Sequence, residues 1–201
     1  MKIEIFPISR LEATCQLALL ARDMPGRTMD LAELDKPFGL TQENREKLAP
    51  LSDETRERLQ ADGYPDTILD AIDSEAEAGI YEKAGLEATE VNGKDALIRT
   101  DIDYDKTDGV FGESNLDRMK AGRPPLDADG NKIELHHIGQ KPDSPLAELT
   151  GAEHRSNGND NILHNKLKES EIDRADFGRE REDYWKARAQ QVENQRLEGN
   201  T

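Results

Sequence analysis

Apolar positions along the chain recur first at helical and then at strand spacing, with the change near residue 88. Ile3 and Ile5 alternate in a short strand that Pro7 ends, and Leu11, Leu17, Leu19 and Leu20 predict a helix over 11–22. Pro25-Gly26 breaks the chain after it. Thr41-Gln42-Glu43-Asn44 places an N-cap before an acidic first turn, and Ser52-Asp53-Glu54-Thr55 repeats that signal. Gly63-Tyr64-Pro65-Asp66 interrupts again, ahead of a helix whose apolar stripe is Ile68, Leu69 and Ile72.

From Ala88 the pattern shortens to strands. Val91-Asn92-Gly93-Lys94 is a hairpin signal, because Asn-Gly tolerates the positive φ of a two-residue turn. Asn115–Gly122 predicts one or two helical turns. Arg123-Pro124-Pro125-Leu126 runs extended, since proline biases its predecessor away from helix. Asp127-Ala128-Asp129-Gly130-Asn131 is a tight turn feeding a strand over Lys132–Ile138. A loop over 139–145, a second strand near 146–150 and a helix with an irregular lead-in over 151–165 follow. Residues 166–197 predict one long or broken helix, anchored by Trp185, the chain's single tryptophan. These elements divide the chain into an α-helical region, 1–87, and a mixed region, 88–201.

Composition narrows the function. Hydrophobic content is 34% and charged content 35% of 201 residues, which predicts a small core with much solvated helix. The formal net charge of −16 opposes nucleic-acid binding, which favours basic surfaces. It is unevenly spread: residues 121–201 hold 12 Lys+Arg and 16 Asp+Glu, against 15 and 27 in residues 1–120. One cysteine, Cys15, excludes an internal disulfide and a zinc site built from several cysteines. The nine-residue apolar run 13–21 is too short to span a bilayer, and Lys2 and Glu4 interrupt any secretory signal. The alternating acids Asp101, Asp103 and Asp105 invite a calcium loop. The sixth and twelfth positions, however, hold Lys106 and Gly112 where such a loop needs glycine and glutamate.

The chemistry concentrates in histidine. All four histidines, His136, His137, His154 and His164, fall within 29 consecutive residues. Histidine is the commonest metal ligand and titrates near neutral pH, so the group can supply both a metal site and a proton acceptor. Adjacent residues of a strand point to opposite faces, so His136 and His137 are expected to do different jobs.

Ile133-Glu134-Leu135-His136-His137-Ile138, with Leu149-Thr150, Glu153-His154, Asn159-Asp160 and Leu163-His164, resembles the LHH nucleases of the HNH/endonuclease VII superfamily. These are toxin modules of bacterial polymorphic toxin systems, and Glu-Leu-His-His is also similar to the tetrapeptide of the DNase colicins. The resemblance covers about residues 101–188. It implies an α+β, mostly helical fold: a ββα-metal (HNH or treble-clef-like) core at about 127–168, an N-terminal helical extension and a C-terminal helix. The implied activity is non-specific, metal-dependent DNA cleavage, with RNA left open as a substrate. The implied partner is an immunity protein. Synthesis in a bacterial cytoplasm, export without a classical signal peptide and action in the target cell's cytoplasm follow from the same resemblance. Residues 1–87 would be a delivery remnant, a linker or a partner surface.

The resemblance also assigns roles. His136 would be a metal ligand and His137 the general base, with His154 a second ligand. Glu134 would pair with an arginine at the phosphate, for which Arg118, Arg123 and Arg155 are candidates, and Lys166 adds a further substrate contact. The next colicin ligand, one turn after His154, falls here on Gly158. His164 replaces it only if residues 156–161 break the helix; otherwise an oxygen donor such as Asp160 must serve. Residues 143–150 lack the asparagine that orients the base, leaving Asp143, Ser144, Gln140 or a backbone carbonyl. Three imidazole ligands favour zinc, or nickel or manganese, over magnesium. Two other classes stay open: a structural metal-binding module without catalysis, and an acidic helical adaptor.

Overall fold

Ser52 opens the first described helix as its position predicts: its hydroxyl accepts from the Thr55 N–H at 3.2 Å and starts α1 (Asp53–Ala61). The structure is a computed structural model and describes residues 48–199. The strand near the N-terminus, the helix over 11–22 and the helix start at Thr41 lie outside those residues.

After Pro65 the structure differs from the expected single helix. A one-turn α2 (Asp66–Leu69) is followed by α3 (Glu75–Lys83), which has its own cap, Ser74, accepting from the Glu77 N–H. Ser74 is extended (φ −154°, ψ 159°) and so resets the chain between the two helices. Ile68, Leu69 and Ile72 are buried all the same.

The Asn92-Gly93 hairpin forms as expected between β1 (Glu87–Val91) and β2 (Lys94–Ile98). Both turn residues have positive φ, 54° and 77°, the geometry that matches the twist of the paired strands. α4 (Asn115–Lys120) follows, opened by a reciprocal capping box between Ser114 and Asp117. The expected strand over 132–138 forms as β3 (Glu134–His137), and its partner as β4 (Leu146–Leu149).

These four strands make one sheet in the order β1-β2-β4-β3, with β2 parallel to β4 and β3 antiparallel to it. Both faces are covered. Leu97, Ala147 and Leu149 share a hydrophobic cluster with Leu59, Ile68 and Tyr81 of α1–α3. Ala96, Leu135 and Leu146 share another with Met119 of α4 and Tyr184, Trp185 and Val192 of α7 (Arg174–Glu198). Alternate residues of one strand thus enter different cores.

α7 begins later than the pattern suggested, at an Asp173 cap that accepts from the Ala175 and Asp176 N–H groups. Trp185 is 1% exposed and anchors it, as expected; truncating such a side chain to alanine costs about 3–5 kcal/mol. A buried carboxylate fastens the same helix. Glu148 of β4 accepts from Tyr184 Oη (2.9 Å), Arg188 Nε (3.0 Å) and the Arg99 N–H (2.9 Å). With every partner in place the buried pair is tolerated, whereas removing one partner leaves an uncompensated charge.

The fold is a mixed α+β one, a small sheet with several helices. Among the described residues no helix is long and apolar enough to cross a membrane.

Candidate metal centre

His136 lies opposite Ala147 in the β3–β4 register, and His137 lies opposite Leu146. Directly opposite residues share a face. His136 therefore enters the side that holds Ala147, Leu149 and α1–α3, while His137 enters the side covered by α7.

Two short helices bring the other histidines to His136. α5 (Gly151–Arg155) starts at a Thr150/Glu153 capping box and carries His154. Ser156 then leaves helical geometry, and Asn157 (φ 56°) and Gly158 (φ 85°) turn through left-handed conformations. α6 (Asn159–Leu163) restarts the chain and ends at His164. Asn159 Nδ2 donates to the Glu153 carbonyl at 2.7 Å and clamps the joint. This is the break that the ten-residue spacing required, and it lets His164 fold back on His154.

The three rings meet, with centroids 5.1, 5.0 and 4.8 Å apart. One ligand atom from each lies within 4.8 Å of the others, and His154 Nε2 is 3.3 Å from His136 Nδ1. Two imidazoles on a tetrahedral zinc ion, with Zn–N of about 2.0–2.1 Å, sit about 3.4 Å apart at their nitrogens.

Carboxylates fix two of the three tautomers. His154 Nδ1 donates to Glu134 Oε2 (2.6 Å), and His164 Nδ1 donates to Asp160 Oδ1 (3.0 Å). Each leaves Nε2 with its lone pair toward the cluster, the second carboxylate-to-histidine contact typical of metal sites. Arg155 and Lys166 neutralise the other oxygens of Glu134 and Asp160. Burial holds the pKa of His136 well below the usual imidazole value, and the neighbouring rings add to the effect. Burial also lowers His154, against the pull of Glu134. Neutral imidazole is the form that binds a metal, and His136 Nε2 is buried with no hydrogen-bond partner. The donor set fits one divalent ion.

His137 stands apart from this group. Its ring packs 4.4 Å from Phe177, and its Nε2 donates to Glu180 Oε2 at 2.8 Å. Lys94 pairs with the same carboxylate. The side chain is 1% exposed, and burial lowers its pKa. Glu180 of α7, which was not among the expected partners, meets its ring, and the Pro142 carbonyl, a backbone partner of the expected kind, acts on the same imidazole. Ser144 donates instead to the Lys141 carbonyl and Gln140 accepts from the Asn165 N–H.

The cationic candidates separate. Arg155 lines a cleft of about 560 Å³ with His154, Glu134, Lys132, Phe177 and Arg181. Lys166 is held against Asp160. Arg118 is buried, donating to the Pro124 carbonyl at 3.1 Å and lying 3.7 Å from Asp108. Arg123 is paired with Glu113 at 2.8 Å. Arg155 is thus the arginine that Glu134 meets. Sequence reasoning missed the contacts of Glu180 with His137, of Asp160 with His164 and of Arg181 with the Phe177 ring; the i, i+4 spacing of Phe177 and Arg181 was the available signal for the last.

The family model described as LHH, a nuclease of the HNH/ENDO VII superfamily with conserved LHH, matches residues 114–191. That span contains Leu135-His136-His137, His154, His164 and Glu180. No solved structure matches the chain. Over residues 114–191 the chain is thus similar to the LHH nucleases of the HNH/ENDO VII superfamily.

Proposed function

We propose that this chain is a non-specific DNA endonuclease that works with one divalent ion held by His136, His154 and His164. The observation that carries the reading is the convergence of these three imidazoles, two of them backed by carboxylates. β3, β4 and α5 then correspond to the ββα-metal core, with His164 supplied from beyond the break. The nitrogen donors favour zinc, with nickel, manganese and magnesium as the alternatives to test.

When bound, the ion supplies charge stabilisation for the phosphate and the leaving oxygen. The protein supplies the rest. Arg155 and Lys132 stand in the cleft beside His154, where a phosphodiester would lie. His137 gives its Nε2–H to Glu180, so Nδ1 keeps the lone pair that takes the proton from water. Phe177 packs on that imidazole and lines both the Arg155 cleft and a neighbouring one of about 370 Å³ that holds His137 and Glu180.

The resemblance to toxin modules extends the proposal: an immunity protein as partner, export without a classical signal peptide and action in the cytoplasm of a target cell. The same proposal gives residues 88–201 the catalytic residues, with α1–α3 of the 1–87 region packed on their sheet and the rest of that region a delivery remnant, linker or partner surface. One observation favours a second reading, a metal-binding module without catalysis: the burial of His137. Incubating plasmid DNA with the purified protein, with and without a chelator, separates the two. Nicking that the chelator abolishes supports the nuclease, whereas bound metal without nicking supports the module.

A further inference from the structure

The geometry points to Arg181 as a substrate-binding residue that holds a backbone phosphate of the nucleic acid, using the face of Phe177 as its platform. This rests on the nuclease reading and adds to it a contact from the C-terminal helix. Arg181 stands one turn after Phe177 on α7, with its guanidinium carbon 4.9 Å from the ring centroid. A cation held over an aromatic face keeps its in-plane N–H donors free, and a planar guanidinium is the donor array best matched to phosphate oxygens.

The surroundings favour that ligand. Arg181 is exposed and has no ion pair among the described residues, unlike Arg179 two residues earlier, which is tied to Asp176. It lines the same cleft as His154, Lys132 and Arg155. These three cations come from α7, the strand lead-in and α5, so one phosphodiester chain along the edge of β3 would meet all of them. Phe177 stands between that cleft and His137, so a strand seated on Arg181 lies against the ring that covers the base.

The test is binding of a fluorescein-labelled DNA oligonucleotide in the presence of a chelator, followed by anisotropy over a salt series, with steady-state cleavage measured separately. Arg181→Gln is expected to weaken binding about 10-fold and to reduce the log–log salt slope by about 0.9, the loss of one phosphate contact. In cleavage it should raise KM and leave kcat within about 2-fold, since the contact serves ground and transition states alike. Arg181→Lys, which keeps the charge without the planar fork, should recover part of the affinity. Arg179→Gln on the same helix should match the wild type. Wild-type affinity and slope in Arg181→Gln, or an equal loss in Arg179→Gln, would overturn the assignment while leaving the nuclease reading intact. A wild-type protein that neither binds nor cleaves nucleic acid would sink both.

Discussion

Glu134 Oε2 stands 2.6 Å from His154 Nδ1, so a residue of β3 and a residue of α5 hold each other in register across the cluster. The carboxylate selects the tautomer and raises the basicity of Nε2. Glu134→Gln keeps the shape and loses the charge. Metal affinity should fall about 10- to 100-fold, the usual cost of losing such a partner, with activity returning at saturating metal. Titration against a chromogenic chelator reads the affinity; an unchanged value would remove Glu134 from the site.

His137→Ala should lower cleavage by about 10²- to 10⁴-fold, the range of a lost general base. Metal content by elemental analysis should stay at one ion per chain, since His137 faces away from the three ligands. Glu180→Gln should lower kcat with metal content unchanged, because only the orientation of the imidazole is disturbed. Loss of the metal from His137→Ala would reassign the pair.

Gly139→Ala is expected to be strongly destabilising. Gly139 has φ +71°, and a Cβ there would come within 2.6 Å of the Ala71 carbonyl oxygen. Left-handed strain alone costs about 1–3 kcal/mol, and a clash with backbone adds to it. Gly130→Ala, also at positive φ but with open space around it, isolates the strain. Denaturant midpoints that fall equally for both variants would show that the Ala71 contact contributes nothing.

The buried carboxyl of Glu77 gives stability a pH dependence. Burial pushes its pKa from 4.5 up to about 7, against hydrogen bonds from the Asp73 N–H, the Tyr81 hydroxyl and the Gly139 N–H. The folded state then holds a proton that the unfolded chain has lost. This contribution is present in full below about 4.5 and is lost as pH rises through about 7. At about 1.4 kcal/mol per pKa unit it amounts to roughly 3 kcal/mol. Glu77→Gln removes the titration, so the difference in unfolding free energy between wild type and variant should change across that window. A constant difference from pH 4 to 8 would show that Glu77 ionises normally.

What could be read in advance depended on how local the cause was. Asn92-Gly93 announced its turn because the positive φ is a property of those two residues. Ser52 and the strand alternation of Glu134-Leu135-His136-His137 were legible for the same reason. His164 could be placed only conditionally, since the break at Asn157 and Gly158 follows from two weak preferences for left-handed geometry. Glu180 lies 43 residues from His137, and only the docking of α7 brings them together. The parallel pairing of Ala96 with Leu146 is equally remote from any local signal. The burial of Arg118 was not legible either, because charge in a sequence says nothing of burial; its neighbours Pro124 and Asp108 decide that.

The approach of Gly139 to Ala71 bears on how this protein can be cut and recombined. The turn directly after the paired histidines rests on backbone contributed by the segment between α2 and α3, and Leu97, Ala147 and Leu149 rest on the side chains of those helices. A fragment starting at residue 88, grafted onto another carrier, would leave that face of the sheet wet and the turn unsupported. The smallest portable unit therefore begins ahead of Ser52, and chimaeras joined there should keep their metal where chimaeras joined at 88 lose it.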